Sequence, residues 1–332
     1  MILHPGILAL LVSSLLICLM TLYAAVYGIQ ILRRWDIKSG SELQLTLERQ
    51  TYLVSTILSY ALVFQILSLF LFIHTADSLH GLFTGAMCAA GTLNVNSAGY
   101  PTLVLKVVTC IVAGVWLILN HADTRGYDYP LIKVKYFLLQ ILAALLLLET
   151  LSQFGFFSRL RGDVITSCCG RLFSVERPGI AGDIAGLPPG IMEPVFFAGM
   201  AVTVICGVFF CLKGRGGYLF SAASSLTFMI AAASLVSFIC LYFYELPTHH
   251  CPFCILQKEY GHVGYVLYAA LLGGGVAGLG TGVLMPFRNR GSMARVIPPL
   301  QRRLTAVTLL LYLVFTLIVS YRMLFSPFRL GR

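Results

Sequence analysis

The chain has 332 residues, of which 58% are hydrophobic and only 11% charged, and it carries a formal net charge of +10. A soluble domain carries about 25% charged residues, so this composition excludes an ordinary soluble protein. The positive charge is scattered between apolar runs rather than gathered in a basic tract, which argues against nucleic-acid binding.

Each apolar run is close to the roughly 20 residues that span a bilayer. The pattern predicts an all-α, polytopic integral membrane bundle of about eight transmembrane helices. A β-barrel would instead show strands of alternating polarity over about 10 residues. In chain order the predicted spans are Ile7–Leu32, Thr51–Ile73, Thr102–Asn120, Leu131–Phe157, Val195–Leu212, Leu219–Tyr244, His262–Met285 and Thr305–Phe325. They divide into an N-terminal three-span region (1–130), a four-helix core (131–285) and a C-terminal span (286–332). The first span reads as an anchor rather than a cleaved signal, because no basic residue precedes it and Arg33–Arg34 follow it directly.

Basic residues then orient the spans. Arg33, Arg34, Lys38, Arg49, Arg125, Lys133, Lys135, Lys213, Arg215, Arg288, Arg290, Arg295, Arg302 and Arg303 fall in one set of connections. That set is expected to be cytoplasmic, with both termini outside, in a membrane such as the bacterial inner membrane. Lys106 lies inside the third span and is expected to snorkel outward.

This orientation puts every loop cysteine on the outer side. The connection 75–101 carries Cys88, the connection 158–194 carries the adjacent Cys168 and Cys169, and the connection 245–261 carries Cys251 and Cys254. Cys18, Cys110, Cys206, Cys211 and Cys240 fall within spans and read as small buried hydrophobes. In an oxidising compartment loop thiols form or exchange disulfides.

Cys251-Pro-Phe-Cys254 is the strongest of these signals. Two intervening residues let both sulfurs share one helical turn, and a helix start favours the thiolate, the form that attacks disulfides and binds metals. His249, His250, Lys258 and His262 flank the pair, and Gln257 is expected on the same helix, three residues beyond Cys254. Cys168–Cys169 reads equally as a vicinal disulfide, a thiol shuttle, a soft-metal site or two separate bridges. Cys88 lies in a Gly-rich, uncharged stretch that is expected either to order on the surface or to dip into a cavity with Asn94 and Asn96. Glu149, among the leucines of the fourth span, should face a cavity or a partner, and it is a proton-relay candidate. The outer histidines, His74, His80, His249 and His250 above all, open a second reading: a haem or transition-metal site in a subunit of an electron-transfer or transport complex. A third reading makes the chain a non-catalytic structural subunit with static bridges. Nothing in the sequence has the form of a phosphate-binding loop or a hydrolase triad.

The string Cys-Pro-Phe-Cys-Ile-Leu-Gln at 251–257 resembles the active segment of disulfide-bond-formation B membrane thiol oxidases. The chain order over about 131–285 resembles the vitamin K epoxide reductase family: a span leading out, a two-cysteine loop, two spans, then C-x-x-C opening a fourth. The loop cysteines of that family are separated, whereas Cys168 and Cys169 are adjacent. The resemblance implies a membrane thiol–disulfide oxidoreductase. It implies a quinone near Cys254, with Gln257, Lys258, His262 and Glu149 as candidate contacts. It also implies that Cys168/Cys169 meet a soluble, thioredoxin-like partner or a partner redox subunit. The catalytic set expected on this reading is Cys168, Cys169, Cys251 and Cys254, and Cys88, which has no counterpart in that family, joins the candidates as the remaining cysteine on the outer side.

Overall fold

Eight helices among the described residues are long and apolar enough to cross a membrane, as the hydropathy pattern predicts. The computed structural model describes residues 3–37, 39–166, 173 and 179–329. The helices are α1 (Pro5–Arg34), α2 (Glu42–Ser78), a short α3 (Ala89–Leu93), α4 (Gly99–Asp123), α5 (Ile132–Ser158), a short α6 (Ile180–Ala185), α7 (Pro189–Lys213), α8 (Gly217–Ser234), α9 (Cys240–Tyr244), α10 (Val263–Val283) and α11 (Met293–Phe325). A π-helical turn, Leu235–Ile239, joins α8 to α9 within one span. No strand occurs among the described residues. The chain is therefore an all-α integral membrane protein. Leucines such as Leu15, Leu19, Leu148, Leu151, Leu310 and Leu317 lie exposed on the spanning helices, where lipid is their natural solvent.

Two of the spanning helices run further than hydropathy predicts. α2 begins at Glu42 rather than near Thr51, and α11 at Met293 rather than near Thr305. Polar turns carry no transfer signal, so hydropathy does not register them where the helix continues.

The chain forms two compact units interleaved in sequence, 1–75 with 96–161 and 286–300, and 76–95 with 162–285 and 301–332. In the first unit α5 packs against both α1 and α4. Ile17, Ala24, Leu58, Leu62, Trp116 and Leu142 belong to its apolar core. Apolar burial alone does little to hold helices together in lipid, so close approach and polar contacts matter more. Gln140 Nε2 donates to Ala25 O at 2.9 Å, and Gln153 Nε2 donates to Leu10 O at 3.0 Å and to Ser14 Oγ at 2.9 Å. Gly28 makes room for the first of these, because a Cβ there would lie 2.7 Å from Gln140 Nε2.

Two ion pairs in this unit correct the charge reading. Lys106 does not snorkel: its Nζ lies 2.8 Å from Glu149 Oε1 and 3.2 Å from Ser68 Oγ. Glu149 also accepts from Gln65 Nε2 at 2.6 Å and from the Thr109 hydroxyl. Lys135 is not a loop cation either. It is buried in α5, with Nζ 2.9 Å from Asp123 Oδ2 and 3.1 Å from Asn120 Oδ1. Asp123 Oδ1 takes the N–H of Leu131 at 3.0 Å, so one carboxylate ties the turn between α4 and α5. A buried ionisable group needs a partner and hydrogen bonds, and each of these has both.

In the second unit α8 packs against α7 and α10. Gly274, Gly278 and Gly282 form the contact stripe of α10. A Cβ on Gly278 would lie 2.1 Å from Ser224 Oγ, and one on Gly282 would lie 2.3 Å from Ser221 Oγ. Tyr312 and Thr308 of α11 donate to Ser224 O and Gly274 O at 3.0 and 3.2 Å. Arg322 of α11 reaches the end of α9, donating to Tyr242 O and Phe243 O at 3.2 Å each and pairing with Glu245 at 3.0 Å. That satisfies carbonyls a helix end leaves open.

Candidate thiol cluster

Glu245, at φ +57°, stops α9 and turns the chain into the 245–262 connection. The expected helix start at the cysteine pair is absent. Cys254–Leu256 is a single 3-10 turn, Gln257 is extended at φ −75° and ψ 163°, and Gly261 and His262 have φ of +62° and +56°. A right-handed helix cannot pass through three such residues, so α10 begins only at Val263. Gln257 is correspondingly not on a helix with Cys254. Helix-dipole activation of the thiols falls away with that geometry.

The connection is held by side chains instead. Tyr244 donates its hydroxyl to Cys251 O at 2.5 Å, and Tyr268 donates to Pro252 O. The π-helical turn carries Val236 O, which lies 2.9 Å from His250 Nδ1. A carbonyl only accepts, so that nitrogen carries the proton. Gly264 lets α10 press against the loop, since a Cβ there would lie 2.8 Å from Ile255 Cγ2 and 2.9 Å from Ile255 O.

Cys88 arrives from the end of α2. Gly85 takes φ +89°, a conformation that favours glycine, and Cys88 is extended at the start of α3. Gly91 closes the turn, for its Cβ would meet Ala86 Cβ at 2.6 Å. The Gly-rich stretch is thus an ordered turn and one short helix. Asp77 ties the two connections together: its Oδ1 accepts from Ala89 N at 3.0 Å and from Gln257 Nε2 at 3.4 Å. Gln257 Nε2 also donates to Met87 O at 2.8 Å.

The outcome is a cluster of three sulfurs. Cys88 Sγ lies 3.6 Å from Cys251 Sγ, and these two with Cys254 Sγ all lie within 4.8 Å of one another. Their exposures are 0%, 0% and 6%. His249 Nε2 stands 3.4 Å from Cys254 Sγ, with its ring edge-on to Tyr244 at 4.7 Å between centroids.

The other predicted residues fall around or away from this cluster. Lys258 and His262 are exposed, and His262 Nδ1 donates to Leu256 O at 2.7 Å. His80 Nδ1 donates to Asp77 O, so His80 stands beside the carboxylate that joins the loops. His74 is exposed on α2 in the first unit, where Glu149 is engaged with Lys106. Cys168 and Cys169 lie outside the described residues. The nearest described residues on either side are Thr166 and Phe173. Thr166 N donates to Thr84 O at 3.0 Å, its hydroxyl donates to Gly91 O at 3.0 Å, and Phe173 packs on Phe253 with centroids 6.2 Å apart.

Sequence reasoning missed Asp77, Tyr244 and Tyr268. Asp77 had a signal, as an acid at the mouth of an apolar span whose following loop offers no basic partner. The tyrosines had none, because their hydroxyls act through a fold that brings distant turns together.

No protein-family model, no curated protein and no solved structure matches this chain, so what the cluster does must be argued from its own chemistry.

Proposed function

We propose that this protein is a membrane thiol–disulfide oxidoreductase whose working groups are Cys88, Cys251 and Cys254. The observation that carries this reading is the 3.6 Å separation of the Cys88 and Cys251 sulfurs, contributed from loops 163 residues apart in sequence. A disulfide needs about 2.05 Å, so a shift of about 1.5 Å would join them. Joining the pair releases two electrons and two protons, and a third sulfur beside it allows exchange. The Cys254 thiolate, with His249 to take its proton, attacks one sulfur of the Cys88–Cys251 disulfide. The other sulfur leaves as a thiolate and is reprotonated.

A partner dithiol would supply the electrons through Cys168 and Cys169. Thr166 and Phe173 favour this, since one touches the Cys88 turn and the other the Cys251–Cys254 loop. A quinone at the membrane surface would supply a two-electron, two-proton acceptor. Of the candidate contacts, Gln257 Nε2 and the Glu149 carboxylate are already engaged within the protein, which leaves Lys258 as an exposed donor and His262 exposed beside it. The reading includes a bacterial inner membrane with these loops outside it, where oxidising conditions suit the chemistry.

The test is trapping in intact membranes. Acid quench, alkylation and peptide mass spectrometry should find Cys88 joined to Cys251 or Cys254 after oxidant, and all three alkylated after reductant. Three thiols that label identically under both conditions would overturn the reading.

A further inference from the structure

We infer that the reduced cluster is also a binding site for one soft tetrahedral metal ion of the Zn(II) or Cu(I) class, with Cys88, Cys251, Cys254 and His249 Nε2 as the four ligands. This goes beyond the redox reading and does not depend on it, because it needs only the thiols and not their exchange.

The distances carry it. Zinc–sulfur bonds of about 2.3 Å and zinc–nitrogen bonds of about 2.0–2.1 Å, set at tetrahedral angles, give sulfur–sulfur edges of about 3.8 Å and sulfur–nitrogen edges of about 3.5 Å. The protein holds Cys88 and Cys251 sulfurs 3.6 Å apart, and His249 Nε2 3.4 Å from the Cys254 sulfur. Both lie close to the edges of one shared tetrahedron. The remaining sulfur distances, at most 4.8 Å, close to the same edge with movement of about 1 Å, and His249 Nε2, which lies beside Cys254 but outside this group of three, turns toward the other two sulfurs to complete the set.

The donor set selects the ion. Three thiolates and one imidazole form a soft set that discriminates against magnesium and calcium, which take oxygen ligands. Four protein ligands also leave no open position, the mark of a structural or regulatory site rather than a hydrolytic one.

The surroundings hold the three sulfurs before any ion arrives. Tyr244 fixes the Cys251 carbonyl and packs on the His249 ring, while Asp77 accepts from both sulfur-bearing connections. Outer partners of this kind orient metal ligands and are worth 10–100-fold in affinity. An ion here would clip the 79–95 connection to the 245–262 connection.

The experiment uses the full-length protein in detergent, reduced with a phosphine and then freed of it. Titration with Co(II) should give thiolate-to-metal charge transfer and the intense visible bands of a tetrahedral ion, saturating at one ion per chain. X-ray absorption of the Zn(II)-loaded protein should show three sulfur neighbours and one nitrogen. Cys88→Ser and Cys251→Ser should each abolish that spectrum, and His249→Ala should weaken binding at least about tenfold. A double Cys168→Ser/Cys169→Ser variant should leave it unchanged. A wild-type protein that shows no tetrahedral cobalt bands, or fewer than three sulfur neighbours, overturns the proposal whether or not any variant folds. Loss of the spectrum in the Cys168/Cys169 variant overturns it too, because the ion would then sit elsewhere. Failure of disulfide trapping leaves these readouts untouched, so the two proposals fall separately.

Discussion

Lys106 Nζ lies 2.8 Å from Glu149 Oε1, and both side chains are 1% exposed within a helix bundle that crosses a membrane. Ser68, Gln65 and Thr109 complete their hydrogen bonds, so the pair is a finished structural unit.

Breaking that pair from one side should be severe. Lys106→Met would strand a buried carboxylate, and removing one partner of such a pair costs roughly 3–5 kcal/mol. Lys106→Met/Glu149→Gln keeps an acceptor for Gln65 and Thr109 without the charge, and it should recover most of the loss. Thermal unfolding of the wild type, Lys106→Met, Glu149→Gln and the double variant in one detergent gives the coupling directly. Equal losses in the single and double variants would show that the charges do not act as a pair.

Asp77→Ala should loosen the thiol cluster without touching a sulfur. It removes the acceptor for Ala89 N and for Gln257 Nε2, a loss of about 1–3 kcal/mol for the group left unsatisfied. The expected readout is a several-fold lower yield of the oxidised Cys88–Cys251 pair, with the helix content unchanged by circular dichroism. An unchanged yield would show that the two connections hold their positions without this carboxylate.

Gly85→Ala tests the turn that presents Cys88. The residue has φ +89°, and a Cβ would come 2.3 Å from Thr166 O, which is backbone and cannot swing aside. Strain of about 1–3 kcal/mol is expected. Gly81→Ala meets nothing within 4 Å and should be neutral. Comparative melting of the two variants distinguishes local strain from a general sensitivity of this segment.

Gly278→Ala should disrupt helix packing, because the new methyl would lie 2.1 Å from Ser224 Oγ at the contact of α10 with α8. Overpacking of this kind costs about 1–3 kcal/mol. Gly155→Ala, in α5, has open space around it and should be neutral or slightly stabilising. Ser224→Ala combined with Gly278→Ala should restore part of the loss, as measured by the same melting assay.

The apolar runs of this chain were enough to specify its spanning helices, including which cysteines lie within them. That follows because a bilayer demands about 20 apolar residues locally, and no distant partner can alter the requirement. The spacing of Gly274, Gly278 and Gly282, every fourth residue, is likewise a property of one helix. Chain ends of helices were less legible: α2 and α11 continue into polar turns where hydropathy is silent.

What only the tertiary structure decided is where charges and sulfurs end up. Lys106 and Glu149 are 43 residues apart in the chain, and each alone looks like a liability to be snorkelled or relayed. The Cys251–Cys254 spacing suggested a helix start, yet the backbone at Glu245, Gln257, Gly261 and His262 makes a clamped loop. Cys88 joins that site where Gln257 meets both Asp77 and Met87 O, partners remote from it in the chain. Transfer into lipid is a sum over neighbouring residues and can be read along a sequence, whereas ligand geometry is a set of distances between remote ones and exists only once the chain has folded.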